Sequence, residues 1–200
     1  LLVADAYAAY NAIEVLARQS CLAHLIRKAR ELSDNLDAMK QPDPLSIRFC
    51  KNISRLLSLA CRKKIPPGQP EKDQLKKRLF NVLESICSTP LKYVKAETLR
   101  KRLIPGAREY NELFPFIDFE GPPTNNHAER ALRPLVIFRK VCMGTRSASG
   151  SENIGIFTSL TQTAKLQDAP LVPLFQTLLT GTLTQAQDAL FPNAASAENS

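Results

Sequence analysis

Two hundred residues and 22.2 kDa make one domain, or one domain carrying an insertion. With 44% apolar and 23% charged residues the chain can bury a core, which excludes wholesale disorder, and no run approaches the roughly 18 apolar residues of a membrane span. The formal charge of +8 is uneven: between Cys21 and Arg102 lie 19 lysines and arginines against 8 acidic residues, and the remainder carries 8 against 11.

In chain order, Leu1-Leu2-Val3-Ala4-Asp5 reads as the end of a short buried strand stopped by a carboxylate. Tyr7 to Arg18 has helical spacing, with Tyr10, Ile13 and Leu16/Ala17 three and four apart. A short strand is possible around Ser20 to Ala23. From His24 to about Met39 the pattern predicts a helix with Leu25, Ala29, Leu32 and Leu36 on one face. Gln41-Pro42-Asp43-Pro44 breaks it. Further helices are predicted over Leu45–Lys64, Glu71–Ser88 (stripe Leu75, Leu79, Val82/Leu83, Ile86) and Leu91–Leu103, the last stopped by Pro105-Gly106. Phe114 to Pro123 reads as a non-helical connector. Asn125 to Lys140 is helical in pattern, with Pro134 expected to end or kink it because the ring has no N–H to donate. A polar loop, Gly144 to Ser151, precedes a helix from about Glu152 to Leu166 with Ile156, Phe157, Leu160 and Ala164 inward. Leu171–Leu179 is one more helix, and the tail from Asn193 is small and polar.

The basic block attracts polyanions through counterion release, nucleic acid being the usual one, although a solvated face of basic helices has the same signature. Five scattered cysteines, odd in number and without a C-x-x-C pair, argue for reduced thiols in a cytoplasm rather than a disulfide framework or a zinc ribbon. No charged-then-apolar opening segment reads as a secretory signal. The opening Leu1-Leu2-Val3, without a methionine, is what part of a longer protein would have. Phosphate-loop, dinucleotide and serine-hydrolase motifs are absent from the sequence.

Thr124-Asn125-Asn126-His127-Ala128-Glu129-Arg130-Ala131-Leu132-Arg133-Pro134 is the most unusual segment. On a helix, Asn126, Glu129, Arg130 and Arg133 share one face, gathering an amide, a carboxylate and two guanidiniums. Such a set suits phosphodiester chemistry, the carboxylate holding a divalent metal and the arginines contacting phosphate. Asn126-x-x-Glu129 is equally a capping box, and Glu129/Arg133 an ordinary helical pair. Asp5, at a strand end, is the second candidate carboxylate, with Asp118 and Glu120 as substitutes that look more like loop residues. Cys21-x-x-His24 is at most half of a metal site, and the other histidine is His127.

The run from Thr124 to Lys140 resembles the carboxy-terminal signature of the insertion sequence 66 family of bacterial transposases, continuing through Ser159-Leu160 and Thr163-Ala164-Lys165-Leu166. Ala4-Asp5-Ala6-Tyr7-Ala8-Ala9-Tyr10 resembles that family's Asp-Gly-Tyr-x-x-Tyr motif, with Ala6 in place of glycine. Cys21-Leu22-Ala23-His24 with Arg27-Lys28 resembles its Cys-Trp-Ala-His-x-x-Arg-Lys motif, with Leu22 in place of tryptophan. Val141-Cys142-Met143 replaces an aromatic-rich stretch.

The resemblance implies an α/β remnant of a ribonuclease-H-like core, mostly α-helical as present, with an all-α insertion. Residues 1–40 and 119–180 would belong to the core and its last helices, 41–118 to the insertion, and 181–200 to a flexible tail. Asp5 would be the second aspartate of an Asp-Asp-Glu set and Glu129 its glutamate, together holding Mg²⁺ (or Mn²⁺). Asn126 would support them, Arg130 and Arg133 would contact phosphate, and Arg139, Lys140, Lys63, Lys64, Lys76 and Lys77 would track the DNA backbone. Implied partners are insertion-sequence ends, target DNA and further copies of the protein, in a nucleoid-containing cytoplasm and without a membrane. The first aspartate would precede Leu1, so the chain alone is expected to be inactive and to leave a strand edge open. A non-catalytic basic helical module, binding DNA or a transposase partner, is the alternative.

Overall fold

The computed structural model describes residues 1–5 and 8–192, in an amino-terminal unit, Leu1–His127, and a carboxy-terminal unit that begins at Ala128. The chain is mostly helical, as expected. Among the described residues the only sheet is a parallel pair, β1 (Leu2–Ala4) and β2 (Arg18–Ser20), with Leu2 opposite Arg18 and Ala4 opposite Ser20. Parallel strands need a crossover of about a dozen residues, and 5–17 supply it, with one 3₁₀ turn at Ala8–Ala12. The helix expected over Tyr7–Arg18 is therefore corrected. Arg18 to Ser20 give their backbone groups to the strand pair and its flanks, and Ile13 and Leu16 are exposed rather than lining a helical core face. Tyr7 lies outside the described residues.

Gln19, in the middle of β2, is fully buried. Its Nε2 donates to the carbonyls of Ser20 and Leu113 (both 2.8 Å), and its Oε1 accepts from the Phe116 N–H at 3.0 Å. The Ser20 N–H donates to the Glu112 carbonyl at 2.7 Å. Residues 112–116 thus lie along the side of β2 away from β1.

Helices α1 (Leu22–Asp37) and α2 (Pro44–Arg62) build the core. Leu25, Ala29, Leu32 and Leu36 are buried on α1 as their spacing predicts, in one cluster with Phe49, Ile53, Leu57 and Ala60 of α2. Each such leucine contributes roughly 1.5–3 kcal/mol by leaving water. Pro44 stands at the start of α2, where its missing N–H costs nothing. The first N–H of α1, on Leu22, donates to the Pro123 carbonyl at 3.0 Å, which brings the 119–125 segment onto the start of that helix.

Then follow α3 (Gln69–Cys87), α4 (Val94–Arg102), α5 (Arg108–Asn111) and α6 (Pro115–Asp118). Gly106, which follows Pro105 after α4, has φ +87°, where a side chain would be strained. The expected non-helical connector at Phe114–Pro123 is corrected: it contains α6, and Phe114, Phe116 and Ile117 are buried. Pro115 sits at the helix start, where its missing N–H costs nothing, and burial of Phe116 and Ile117 holds the turn in place.

A polar clip joins α3 to α4. Glu97 accepts from Arg100 Nε and Nη2 (both 2.7 Å) and from the Leu91 N–H (2.9 Å), while Arg100 Nη1 donates to the Cys87 carbonyl at 2.8 Å. The Arg100 hydrogen bonds hold the Glu97 carboxyl down at about 2, against an ordinary value near 4.5. A depressed carboxylate stabilises the fold above its unfolded value and loses that contribution as pH falls through the folded one. Between pH 4.5 and 2 the wild type is therefore expected to lose stability that Glu97→Gln never had. Chemical unfolding of both across that window checks this; parallel curves would refute it.

The carboxy-terminal unit holds α7, whose first two residues belong to the other unit (Asn126–Val141), α8 (Ala148–Leu166), α9 (Leu171–Thr180) and α10 (Leu183–Leu190). Ala164, Ala169 and Leu174 form its small core. Ser147 caps α8 by accepting from the Gly150 N–H at 3.0 Å, so the helix starts four residues before the expected Glu152. Ile156 and Phe157 are exposed, not inward; Phe157 meets the ring of Phe175 at 5.8 Å. The supposed tail 181–200 contains α10, started by a Thr182/Gln185 capping box. Residues 193–200 lie outside the described residues.

Candidate active site and its basic surroundings

Asp5 follows β1 at the carboxyl ends of the two parallel strands, the edge at which open parallel sheets present their ligands. It lines two clefts of about 290 and 380 Å³. Ser20, Arg102 and Glu109 border both, His24 and Lys28 lie on one side, and Lys101, Arg108 and Glu112 on the other. The glutamates are committed to arginines. Glu109 accepts from Arg102 Nε (2.5 Å) and Nη2 (2.8 Å), and Glu112 from Arg108 Nε (2.7 Å) and Ser20 Oγ (3.1 Å). With Arg102 and Arg108 paired, Lys28 and Lys101 are the cations bordering these clefts that could meet a phosphate brought next to Asp5.

Glu129, Arg130 and Arg133 lie on α7, all exposed, and Asn126 is half-buried at its first turn. The helix continues through Pro134 rather than ending there. The Arg130 carbonyl, which Pro134 cannot serve, belongs to an exposed residue where water can satisfy it. Arg139 and Lys140 are exposed in the last turn, where cations complement the helix dipole. Asp5 belongs to the amino-terminal unit and Glu129 to the carboxy-terminal one.

Lys63 and Lys64 follow the end of α2 and are exposed, as is Lys77 on α3. Lys76 differs from the expectation of a DNA contact: it is half-buried, and its ammonium is held by Asp118 at 2.8 Å and Asp73 at 3.7 Å. Asp118 and Glu120, the substitute carboxylates, are spent in the same seam, Glu120 on the buried Lys72 at 2.5 Å. These pairs fasten α3 to the α6 segment. Cys21 is buried and His127 exposed. Among the described residues no three His, Cys, Asp or Glu side chains gather at a metal-holding spacing. A two-metal site takes three or so carboxylates, and no such group is assembled among the described residues.

Sequence reading missed Glu109, Arg102 and Arg108, which carry no motif and reach Asp5 only through the tertiary fold. Of the arginines on α1 and α2, Arg27 belongs to the motif that begins at Cys21, whereas Arg30, Arg55 and Arg62 were missed, although serines at interior helical positions beside them (Ser33, Ser54, Ser58) were a visible signal, since serine is a poor helix former.

A family model described as Transposase IS66 family matches residues 1–153. The chain belongs to this family. The IS66 match runs from β1 into α8 and so includes Asp5, the basic helices and Glu129. Membership makes the chain transposase-related, from a family of insertion-sequence proteins that act on DNA and, in general terms, use divalent metal. Comparison with curated proteins and with solved structures finds no match. Among the described residues no helix is long and apolar enough to cross a membrane.

Proposed function

We propose that this chain is part of an Asp-Asp-Glu DNA transposase, contributing Asp5 and Glu129 as two of three carboxylates on a ribonuclease-H-like core interrupted by a helical insertion. The observation that carries this reading is the position of Asp5 at the carboxyl end of a parallel strand pair, in a family match that also takes in Glu129. Arg130 and Arg133 contact phosphate oxygens beside Glu129, and Asn126 supports that turn. Lys63, Lys64, Lys77, Arg139 and Lys140 hold the DNA backbone without reading sequence. The assembly joins further copies on insertion-sequence ends in a nucleoid-containing cytoplasm.

Two carboxylates fall short of a two-metal site, so these 200 residues alone are inactive in strand cleavage and bind Mg²⁺ or Mn²⁺ weakly. Mn²⁺ titration followed by paramagnetic resonance tests this. Asp5→Asn and Glu129→Gln are each expected to weaken Mn²⁺ binding about tenfold or more. If neither variant alters Mn²⁺ binding, the catalytic reading fails and the alternative stands: a non-catalytic basic helical module. The lack of a three-donor cluster among the described residues, together with the +8 charge, is what favours that second reading.

A further inference from the structure

We infer that the groove between α1 and α2 is a seat for the phosphate backbone of duplex DNA, formed by Arg27, Arg30, Arg55 and Arg62 over a floor of serines. Two adjoining clefts, of about 470 and 550 Å³, share Arg30, Asp34, Ser58 and Arg62. Arg27 and Arg30 are one turn apart on α1, and Arg55 and Arg62 two turns apart on α2. All four arginines are exposed. None makes a salt bridge among the described residues, which separates them from Arg100, Arg102 and Arg108, all bound to glutamates. Arg30 donates from Nε to Ser54 Oγ at 3.1 Å, leaving the rest of its guanidinium to the groove.

Ser33 is the second observation. It is 3% exposed, lines the same cleft, and its Oγ has no hydrogen-bond partner. A buried hydroxyl without a partner costs stability, and a phosphate oxygen or its bridging water is a partner that the surrounding cations would bring. Glu31 and Asp34 also border the clefts, and Lys51 is paired with Asp37 at 3.0 Å, so the groove is cationic without being uniformly so. A mixed lining admits spaced phosphates and hydroxyl contacts more readily than a continuous anionic surface. At one end the groove reaches Thr124 and Asn126, which is the first residue of α7, so DNA held here lies against the segment that begins that helix. Lys63 and Lys64, both exposed, follow Arg62 directly in the chain at the end of α2.

This inference rests on the proposal that the chain acts on DNA. The test is fluorescence anisotropy of a labelled random-sequence duplex with the full chain, across a salt series. Arg27→Ala/Arg55→Ala/Arg62→Ala is expected to weaken binding at least about tenfold and to lower the slope of log affinity against log salt by about 2–3, near 0.9 per phosphate contact. Arg78→Ala/Lys92→Ala/Lys95→Ala removes equal charge elsewhere and is expected to change the slope by less than 1. Arg55→Ala/Arg62→Ala, which breaks no hydrogen bond among the described residues, serves if the triple variant melts early, with a slope change of about 2. Equal losses from the groove and control variants would overturn the inference while leaving DNA binding intact. No duplex binding by the wild type at low salt would instead overturn the transposase reading. Groove-dependent binding of a polyglutamate peptide, with duplex affinity untouched by the same substitutions, would assign the groove to an acidic protein and overturn the inference.

Discussion

Phe114→Ala is expected to destabilise the amino-terminal unit by about 3–5 kcal/mol, the usual cost of removing a buried aromatic ring. Phe114 is 1% exposed. Its ring meets Phe80 of α3 edge-on at 5.0 Å and Phe116 at 6.5 Å, and Phe80 in turn lies 4.6 Å from Tyr110. Edge-to-face pairs contribute roughly 0.5–1.5 kcal/mol beyond burial, so the truncation loses both the transfer term and the ring contacts. Urea unfolding measures it. A loss below about 1 kcal/mol would mean that the 110–117 segment is not seated on α3 through this ring. The functional consequence follows from chain continuity: the segment that Phe114 anchors carries Glu112, and Glu109 directly precedes that segment, both at the cleft that Asp5 lines.

Gln19→Leu is the second substitution with a large expected effect, about 2–5 kcal/mol from loss of hydrogen bonds rather than of volume. Leucine nearly fills the glutamine site, so no sizeable cavity opens. What remains is a Phe116 N–H and a Leu113 carbonyl facing a buried side chain that can no longer bond to them. Each buried group left unsatisfied costs roughly 1–3 kcal/mol. The unfolding midpoint should fall with an unchanged denaturant slope, because the surface exposed on unfolding is the same. A shift corresponding to less than about 0.5 kcal/mol would show that water replaces the amide and that Gln19 does not hold β2 to the 112–116 segment.

The α1–α2 hairpin was legible in the sequence because its core faces repeat every three to four residues and proline punctuates its ends. Leu25, Ala29, Leu32 and Leu36 needed only that period to be placed inside. The signature around Glu129 was legible for a different reason: its residue types are individually costly to assemble by chance, and the family match now includes it. The short strands were harder. Arg18-Gln19-Ser20 has no apolar alternation, because what holds Gln19 in the interior is a pair of side-chain hydrogen bonds to backbone groups more than ninety positions away. Helical spacing over Tyr7–Arg18 was therefore a local preference that long-range pairing overrode.

The same distinction runs through the candidate site. Chain order and residue type by themselves determined the basic character, the helical middle, Asp5 at a strand end and Glu129 on a helix. Only the tertiary structure decided which charges are spent. Lys76, Asp118 and Glu120 are consumed in the seam between α3 and α6, and Glu109 and Glu112 in arginine pairs beside Asp5, while Arg27, Arg55 and Arg62 have no salt bridge among the described residues. A sequence reports the charge a residue carries. Whether that charge is neutralised depends on which opposite charge the fold brings within about 4 Å, and such partners come from elements distant in sequence that no local pattern reveals.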